Sequence, residues 1–284
     1  MRELRLISVP YHDGREGVDR GRGPARLLDS ASFPRSIRVE TVRSVDAAAP
    51  EAARVFEIAR RIAALVRAAI AEGAFPLVLA GDCNSCLGTV AGCGTQGLGV
   101  AWFDAHADFD TPEDSLSGSL DAMGLATLTG RCWEALRKTI PGFMPIDEGD
   151  VVLVAVRDLE PGQRERLRRS RIRSLEGNGF TATELRRALE DLRGRAERLY
   201  LHIDLDSLDP GEGVANQYSA PGGLSTEALV ASVEDIFGRF DVAAAAVTAY
   251  NPDSDTGGRM AANAARVLAA LAEIARSKVA VCSD

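Results

Sequence analysis

Two short runs of acidic residues each follow an apolar, strand-like segment of the 284-residue chain. Asp104–Asp108 reads Asp-Ala-His-Ala-Asp, and Asp204–Asp206 reads Asp-Leu-Asp. In extended backbone, residues two apart point to the same face, so each run can direct its polar side chains to one place. Carboxylates crowded and buried in this way are normally paired or coordinate a metal. The two runs together predict a metal site with the ligands Asp104, His106, Asp108, Asp204 and Asp206.

The donor types at this site indicate which ion it would take. Carboxylates with one imidazole favour a hard to borderline divalent ion, first Mn²⁺, although Fe²⁺, Co²⁺ or Zn²⁺ would also bind. Two ions about 3.5–4 Å apart can be held when two aspartates bridge them. Either run alone would give weaker support for a metal site, since Asp-x-Asp after a strand is typical of a turn or a helix cap. The prediction therefore depends on both runs occurring at strand ends.

The segments that must position these runs alternate between apolar strands and amphipathic helices. We predict strands at Leu4–Val9, Pro76–Ala80, Gly99–Phe103, Val151–Val156, Leu199–Leu205 and Val242–Thr248. We predict helices at Ala52–Glu72, Ala182–Arg195, Thr226–Phe237 and Met260–Ala275. This alternation is typical of an α/β fold with a parallel central sheet, and such sheets place ligand sites at the carboxyl ends of their strands.

Four other features carry predictions of their own. Asp108–Gly124, rich in Pro, Ser, Gly and acidic residues, is predicted to be an irregular loop with a function. The arginine-rich Arg164–Arg173 is predicted to be a solvated helix face. His12 is expected at the surface or in a hydrogen bond. His202 either supports the metal site through a hydrogen bond or is a structural strand residue.

Composition bounds the partners and the location. The formal net charge of -8 argues against a nucleic-acid or anionic-membrane partner and suits a small cationic substrate. No apolar run approaches the roughly 20 residues needed to span a bilayer, and Met1–Pro10 lacks the apolar core of a signal peptide. The five cysteines make an odd count, so we expect no disulfide framework and a cytoplasmic location. No linker or repeat divides the chain, which predicts one domain over residues 1–284.

The wider context of both runs resembles the arginase/agmatinase (ureohydrolase) family. The matching segments are Trp102–Asp108 with Thr111-Pro112 and Ser117-Gly118, Ile203–Asp206 with Leu208–Pro210, Pro221–Leu224, Arg157-Asp158, Asn251-Pro252, and Gly17-Val18 with Gly21 and Gly23-Pro24. The resemblance implies a three-layer αβα fold, two manganese ions, a homo-oligomer, and a metal-bridging hydroxide that attacks an amidine carbon. It also implies that Asp104 and Asp204 bridge the metals and hold this hydroxide. Asp108 would then complete one metal site, and His106 with Asp206 the other.

The chain departs from the family pattern at a metal position and at a proton-transfer position. Cys83 stands in Ala80–Ser85 where the family motif Gly-Gly-Asp-His-Ser has a histidine ligand. A thiolate is softer than imidazole and would shift the metal preference towards Zn²⁺ or Fe²⁺, or leave the site weak. Cys83 could also be an inert buried thiol, or a redox partner of Cys86. Asp121 replaces the histidine credited with shuttling protons, a role it could take only with a raised pKa.

Departures also fall on residues that contact substrate in the family. Ala249 replaces a glutamate that binds a guanidinium, and Asp110 replaces an asparagine that contacts the substrate carboxylate. Glu160 keeps the acidic character of its position, so Asp110 and Glu160 together would favour a cationic or polar tail. Ser117 and Ser119 are the remaining candidates for substrate contact.

Cys83, Asp121 and the run His202–Asp204 also resemble hydroxyguanidine hydrolases of the arginase family. We therefore predict a metal-dependent hydrolase that cleaves a non-peptide C–N bond in a linear amidine, guanidino or hydroxyguanidino compound. The alternatives are a catalytically silent paralogue that binds a ligand or a partner, and a zinc-dependent amide deacetylase.

Overall fold

The structure is a computed structural model that describes residues 2–31, 33–34, 36–43 and 45–277. Within these ranges it has ten strands: β1 (Leu4–Val9), β2 (Tyr11–His12), β3 (Arg15–Glu16), β4 (Arg38–Thr41), β5 (Phe75–Ala80), β6 (Leu98–Phe103), β7 (Val151–Val156), β8 (Arg173–Glu176), β9 (Arg198–Asp204) and β10 (Asp241–Thr248). The same ranges contain nine α-helices: α1 (Gly23–Ser30), α2 (Glu51–Ala71), α3 (Ser85–Cys93), α4 (Gly124–Leu128), α5 (Glu134–Arg137), α6 (Pro161–Arg169), α7 (Ala182–Arg193), α8 (Thr226–Arg239) and α9 (Arg259–Ser277).

Eight of these strands form one sheet in the order β4-β1-β5-β10-β9-β6-β7-β8, and every neighbouring pair is parallel. The remaining two, β2 and β3, pair as a short antiparallel hairpin. The register sets Phe103 opposite Ile203 and Asp204 opposite Thr248. Because the strands are parallel, the residues that follow β5, β6, β9 and β10 meet at the carboxyl edge of the sheet.

Side chains alternate between two apolar layers on opposite faces of the sheet. In β1, Ile7 and Val9 belong to the layer that includes buried residues of α2 and α3, such as Ile62 and Val90. The intervening Leu6 belongs to the other layer, with buried residues of α7, α8 and α9. Strands buried on both faces read as continuous apolar runs, as expected for a parallel sheet. The predicted three-layer αβα fold is confirmed.

The six predicted strands are confirmed, with ends that differ by at most one residue. Two further strands at the sheet edges, β4 and β8, were not predicted, because their sequences Arg-Val-Glu-Thr and Arg-Ser-Leu-Glu have few apolar residues. The predicted helix face over Arg164–Arg173 is wrong beyond Arg169, where α6 ends, and Arg173 begins β8. His12 is buried and not at the surface, but the alternative expectation of a hydrogen bond is confirmed, since its Nδ1 is 2.8 Å from Asp82 Oδ1. No helix in the described part of the chain combines the length and the hydropathy needed to cross a bilayer.

Candidate metal centre

Four neighbouring strands deliver side chains to one point of the carboxyl edge. Asp104 comes directly after β6, and Asp204 is the last residue of β9. Thr248 ends β10, while Cys83 lies in the turn between β5 and α3. All four side chains are buried. The sheet, and not the loops, therefore fixes the middle of the site.

The two carboxylates at the middle are oriented by nearby donors. Asp104 Oδ1 accepts a hydrogen bond from the His106 backbone N–H at 2.7 Å, and Asp104 Oδ2 accepts one from Trp102 Nε1 at 2.9 Å. Asp204 Oδ1 accepts from the Asp206 backbone N–H at 2.8 Å. These contacts hold each carboxylate with part of its oxygen surface free to face a cation.

His106 lies between Asp104 and Asp206 on the outer side of the centre. Its Nδ1 is 3.3 Å from Asp104 Oδ1 and 3.4 Å from Asp206 Oδ2. The candidate ligand atoms of these three residues lie within 4.8 Å of one another. Burial lowers the pKa of His106, but the two carboxylates more than offset this effect, so its pKa is well above the usual value. The three residues form what we call the outer group.

Asp108 adds a carboxylate with an unpartnered oxygen. Its backbone has φ 47, in the left-handed region, and its carbonyl accepts from Leu125 N at 2.9 Å and Ala126 N at 3.1 Å. Its buried Oδ2 has no hydrogen-bond partner among the described residues. Burial and the neighbouring carboxylates raise the pKa of Asp104 to about 6, and they also raise those of Asp108 and Asp204 well above the usual range. Crowded acids with an orphaned oxygen fit a divalent cation.

Cys83 faces inward from the turn after β5. Its backbone N–H donates to Asp121 Oδ1 at 2.8 Å, and its Sγ lies 3.0 Å from Asp204 Oδ2. Burial and Asp204 raise the pKa of this thiol well above its usual range. The structure groups it with Asp104 and His202, whose candidate ligand atoms and Sγ lie within 4.8 Å of one another. The redox hypothesis finds no support in these contacts, since Cys83 and Cys86 are free and have different partners.

Asp121 is held by a residue that the sequence analysis did not single out. Arg20 lies in the 3-10 turn Asp19–Arg22, and its Nη1 is 2.8 Å from Asp121 Oδ2. Its guanidinium is also 5.7 Å from the centre of the Tyr218 ring. Both carboxylate oxygens of Asp121 are therefore engaged, which favours a positioning role over proton transfer. The glycine-rich segment around Arg20 was the available signal, but it did not identify the arginine.

A cavity of about 490 Å³ opens beside the outer group. Its walls include His106, Asp110, Ser117, Glu160 and Tyr218. Ser119 is absent from these walls, and its hydroxyl accepts a hydrogen bond from the Asp121 backbone at 3.3 Å.

The charge of Asp110 is not free to attract a cationic tail. Its carboxylate accepts hydrogen bonds from Gln163 Nε2 at 2.9 Å and from Arg166 Nη2. Arg166 had been expected on a solvated helix face, but it points into the cavity wall instead. Its charge balances that of Asp110, so Asp110 on its own would exert little pull on a cation.

Known proteins with this fold and these motifs identify the family. The model of the Arginase family matches residues 3–273, nearly the whole chain. The chain belongs to the arginase family. An arginase of Bacillus caldovelox is 29% identical over 95% of this chain and 98% of its own length. An arginase of Bacillus subtilis strain 168 is 30% identical over 69% of this chain and 68% of its own length.

Solved structures agree with the sequence relatives. The arginase of Bacillus cereus superposes with a TM-score of 0.84 at 26% identity, covering 95% of this chain and 98% of that one. The predicted family is thus confirmed, and the arginase-family chain is a metal-dependent hydrolase of the ureohydrolase class.

Proposed function

We propose that this arginase-family chain hydrolyses a non-peptide C–N bond in a hydroxyguanidino or guanidino compound, using two divalent ions. The observation that carries the proposal is the outer group, in which Asp104, His106 and Asp206 converge within 4.8 Å. His106 also lines the 490 Å³ cavity, so the group has access to a small molecule. Ligand pockets of several hundred Å³ suit substrates of this size.

The residues present divide naturally between two ions. Asp104 and Asp204 would contribute to holding both ions, His106 and Asp206 would complete the set for the ion nearer the cavity, and Cys83 with Asp108 would complete the other. Carboxylate and imidazole donors suit Mn²⁺ in the outer position, whereas the Cys83 sulfur favours a softer ion. When bound, such ions lower the pKa of water and supply a nucleophile near neutral pH.

The absence of a carboxylate at Ala249 disfavours a fully charged guanidinium as the substrate group. Ala249 is buried with φ 62, and its carbonyl accepts from Asn216 Nδ2 at 2.9 Å. A fully charged guanidinium would lack its charge-assisted anchor there. A hydroxyguanidine is less basic and depends less on such an anchor.

The engagement of Asp121 supports the same substrate class. Its oxygens accept from the Cys83 backbone and pair with Arg20, each at 2.8 Å. A carboxylate held this way is poorly suited to deliver a proton to a basic leaving amine. When the C–N bond to the hydroxylated nitrogen of a hydroxyguanidine breaks, the leaving group is hydroxylamine, which is less basic than an alkylamine and requires less assistance from an acid. Asp158 and Glu160 also line the cavity and supply negative charge for a polar or cationic tail.

Metal dependence and substrate class can be tested together. The purified protein would be exhaustively chelated, reloaded with Mn²⁺, Zn²⁺ or both, and assayed on arginine, agmatine, Nω-hydroxyarginine and an N-acetylated amine. We expect turnover to vanish on chelation, to return with Mn²⁺, and to be greatest on the hydroxyguanidine. Asp206→Asn should abolish the recovery, while Asp147→Asn, an exposed substitution far from the edge, should not.

Three outcomes would contradict the proposal. Activity that survives exhaustive chelation would exclude the metal mechanism. Two bound metals without turnover on any amidine would favour the silent-paralogue alternative. Release of acetate with a single bound Zn²⁺ would favour the deacetylase alternative.

A further inference from the structure

The buried side of the metal centre contains a second imidazole beside Cys83. His202 lies in β9, two residues before Asp204, and is completely buried. It is paired in register with Trp102 on β6, and the two rings stack with centroids 3.7 Å apart and an interplanar angle of 18°. Since residues two apart share a strand face, His202 points to the same side of the sheet as Asp204.

The hydrogen bonds of His202 leave one ring nitrogen facing the site. Its Nδ1 is 2.8 Å from the Tyr200 hydroxyl, and its Nε2 is 3.3 Å from Thr248 Oγ1. A neutral imidazole has one N–H group and one nitrogen with a lone pair. With the ring proton on Nδ1, donated to Tyr200, the lone pair of Nε2 points towards Thr248.

Thr248 connects this nitrogen to the cysteine. Thr248 Oγ1 is 3.3 Å from Cys83 Sγ as well as from His202 Nε2. On the other side of the sulfur, Asp204 Oδ2 is 3.0 Å away. A thiol, an imidazole, a hydroxyl and a carboxylate thus surround one small buried volume.

Side-chain length explains why the donors converge there. A cysteine sulfur lies one bond from Cβ, whereas an imidazole ring carries its nitrogens farther out. A cation drawn to Cys83 is therefore drawn towards the sheet, in the direction of His202. The donor atoms of Cys83, Asp104 and His202 lie within 4.8 Å of one another. Asp108 belongs to no group of this kind among the described residues.

We propose that Cys83, Asp104 and His202 form an inner cation site, with Thr248 at its edge, that prefers Zn²⁺ or Co²⁺ to Mn²⁺. Sulfur and nitrogen donors select these softer ions. Binding as thiolate releases the Cys83 proton to solvent. Because every donor is buried, the inner ion fixes Asp104 for the outer group and does not itself contact substrate. The inference rests on the proposed function, because Cys83 and Asp104 belong to both, and it names His202 as a further donor to the ion held by Cys83.

The small number of histidines makes this site testable in the unaltered protein. The chain has three, His12, His106 and His202, so their ring nitrogens can be resolved in long-range ¹H–¹⁵N spectra. One equivalent of Zn²⁺ added to the metal-free protein should shift Nε2 of His202. If His202 is unmoved at saturating Zn²⁺, the inference is overturned without any variant being needed.

Cobalt binding adds a readout of the sulfur. Co²⁺ should give a sulfur-to-metal charge-transfer band in the wild-type protein that disappears in Cys83→Ser. His202→Gln should weaken the affinity measured by this band about tenfold or more. The matched variants His106→Gln and His12→Gln should leave the band in place.

The outcomes separate this inference from the proposed function. If the Co²⁺ affinity measured by the sulfur-to-metal band is the same in the wild type and in His202→Gln, the proposal of an inner site is overturned. Metal held by the outer group alone, without a sulfur band, would overturn it too while leaving metal-dependent hydrolysis intact. If no divalent ion binds at all, both proposals are wrong.

Discussion

Arg20 and Asp121 form a buried ion pair next to the metal centre, with Arg20 Nη1 2.8 Å from Asp121 Oδ2. Arg20 Nη2 also lies 3.7 Å from Asp82 Oδ1, so one guanidinium forms ion pairs with two carboxylates. The pair links the N-terminal turn to the loop that ends at α4. It therefore bears on both the stability of the site and the position of Cys83.

Breaking this pair should cost stability. In Asp121→Asn the Arg20 charge keeps only the more distant Asp82, and removal of one partner from a buried pair costs about 3–5 kcal/mol. The free energy of unfolding of the metal-free protein, measured in denaturant, would check this value. The exposed pair of Arg22 and Asp253 is the control, and Asp253→Asn should change stability by less than about 1 kcal/mol. Unchanged stability of Asp121→Asn with loss of turnover would instead support a proton-carrying Asp121.

The indole of Trp102 should tune metal affinity. Its Nε1 donates to Asp104 Oδ2 at 2.9 Å and so orients a carboxylate expected to bridge both ions. Trp102→Phe removes the donor and keeps most of the ring, and we expect metal affinity measured by calorimetry to fall about 10–100-fold. The chain has one other tryptophan for a control, Trp133, whose Nε1 lies 3.4 Å from Met123 Sδ. An equal loss in Trp133→Phe would point to general destabilisation.

Arg166 should determine how the cavity treats charged tails. Arg166→Gln leaves the Asp110 charge without its cationic partner. A substrate with a cationic tail should then bind about fivefold more tightly, the effect of an ion pair worth about 1 kcal/mol. Values of KM for substrates with cationic and neutral tails would be compared. Arg168→Gln, on the exposed side of the same helix, should alter neither value, and an equal change for both tails in Arg166→Gln would contradict the prediction.

Asp209 should make the loop after β9 sensitive to acid. Its carboxylate accepts hydrogen bonds from the backbone N–H groups of Gly211, Gly222 and Gly223. The bond from Gly211 is the largest cause of the lowered pKa of Asp209 in the folded state, and it outweighs the opposing effect of burial. A depressed folded pKa adds stability above the unfolded value of about 4, and this contribution is lost as pH falls towards the folded value.

A comparison of Asp209→Asn with the wild type would measure that contribution. At pH 7 the variant should be less stable by about 1 kcal/mol, since a neutral oxygen accepts more weakly than a charged one. The difference in unfolding free energy should shrink once pH falls below about 4. A difference that stays constant down to acid unfolding would show that packing, and not charge, explains it.

Periodicity and composition were sufficient to predict the sheet but not its edges. Central strands such as β5 and β10 are buried on both faces and read as apolar runs. Edge strands such as β8 carry Arg173 and Glu176 because one side faces solvent, so their pattern does not differ from that of a loop. These segments become strands because they pair in parallel with segments that are distant in the sequence, and a local sequence pattern does not reveal that pairing.

Spacing along a strand predicted the acidic core of the site, but contacts across strands could not be read in the same way. Asp104 and Asp206 were found because each lies in an alternating run at a strand end. Arg20 was missed because it approaches from a turn far away in the chain, and a single arginine there has no spacing signal. His202 was left open because its role depends on Cys83 and Thr248, which only the strand order brings beside it.

Apart from His106, which belongs to both, the walls of the cavity and the donors of the metal centre belong to different parts of the architecture. The donors follow buried strands, whereas the walls include the exposed loop around Leu116 and the start of α6. Grafting another loop between residues 111 and 120 would therefore leave every donor in its present position. Redesign of the surface loop alone could therefore adapt the scaffold to a substrate with a different leaving group, while the metal donors stay unchanged.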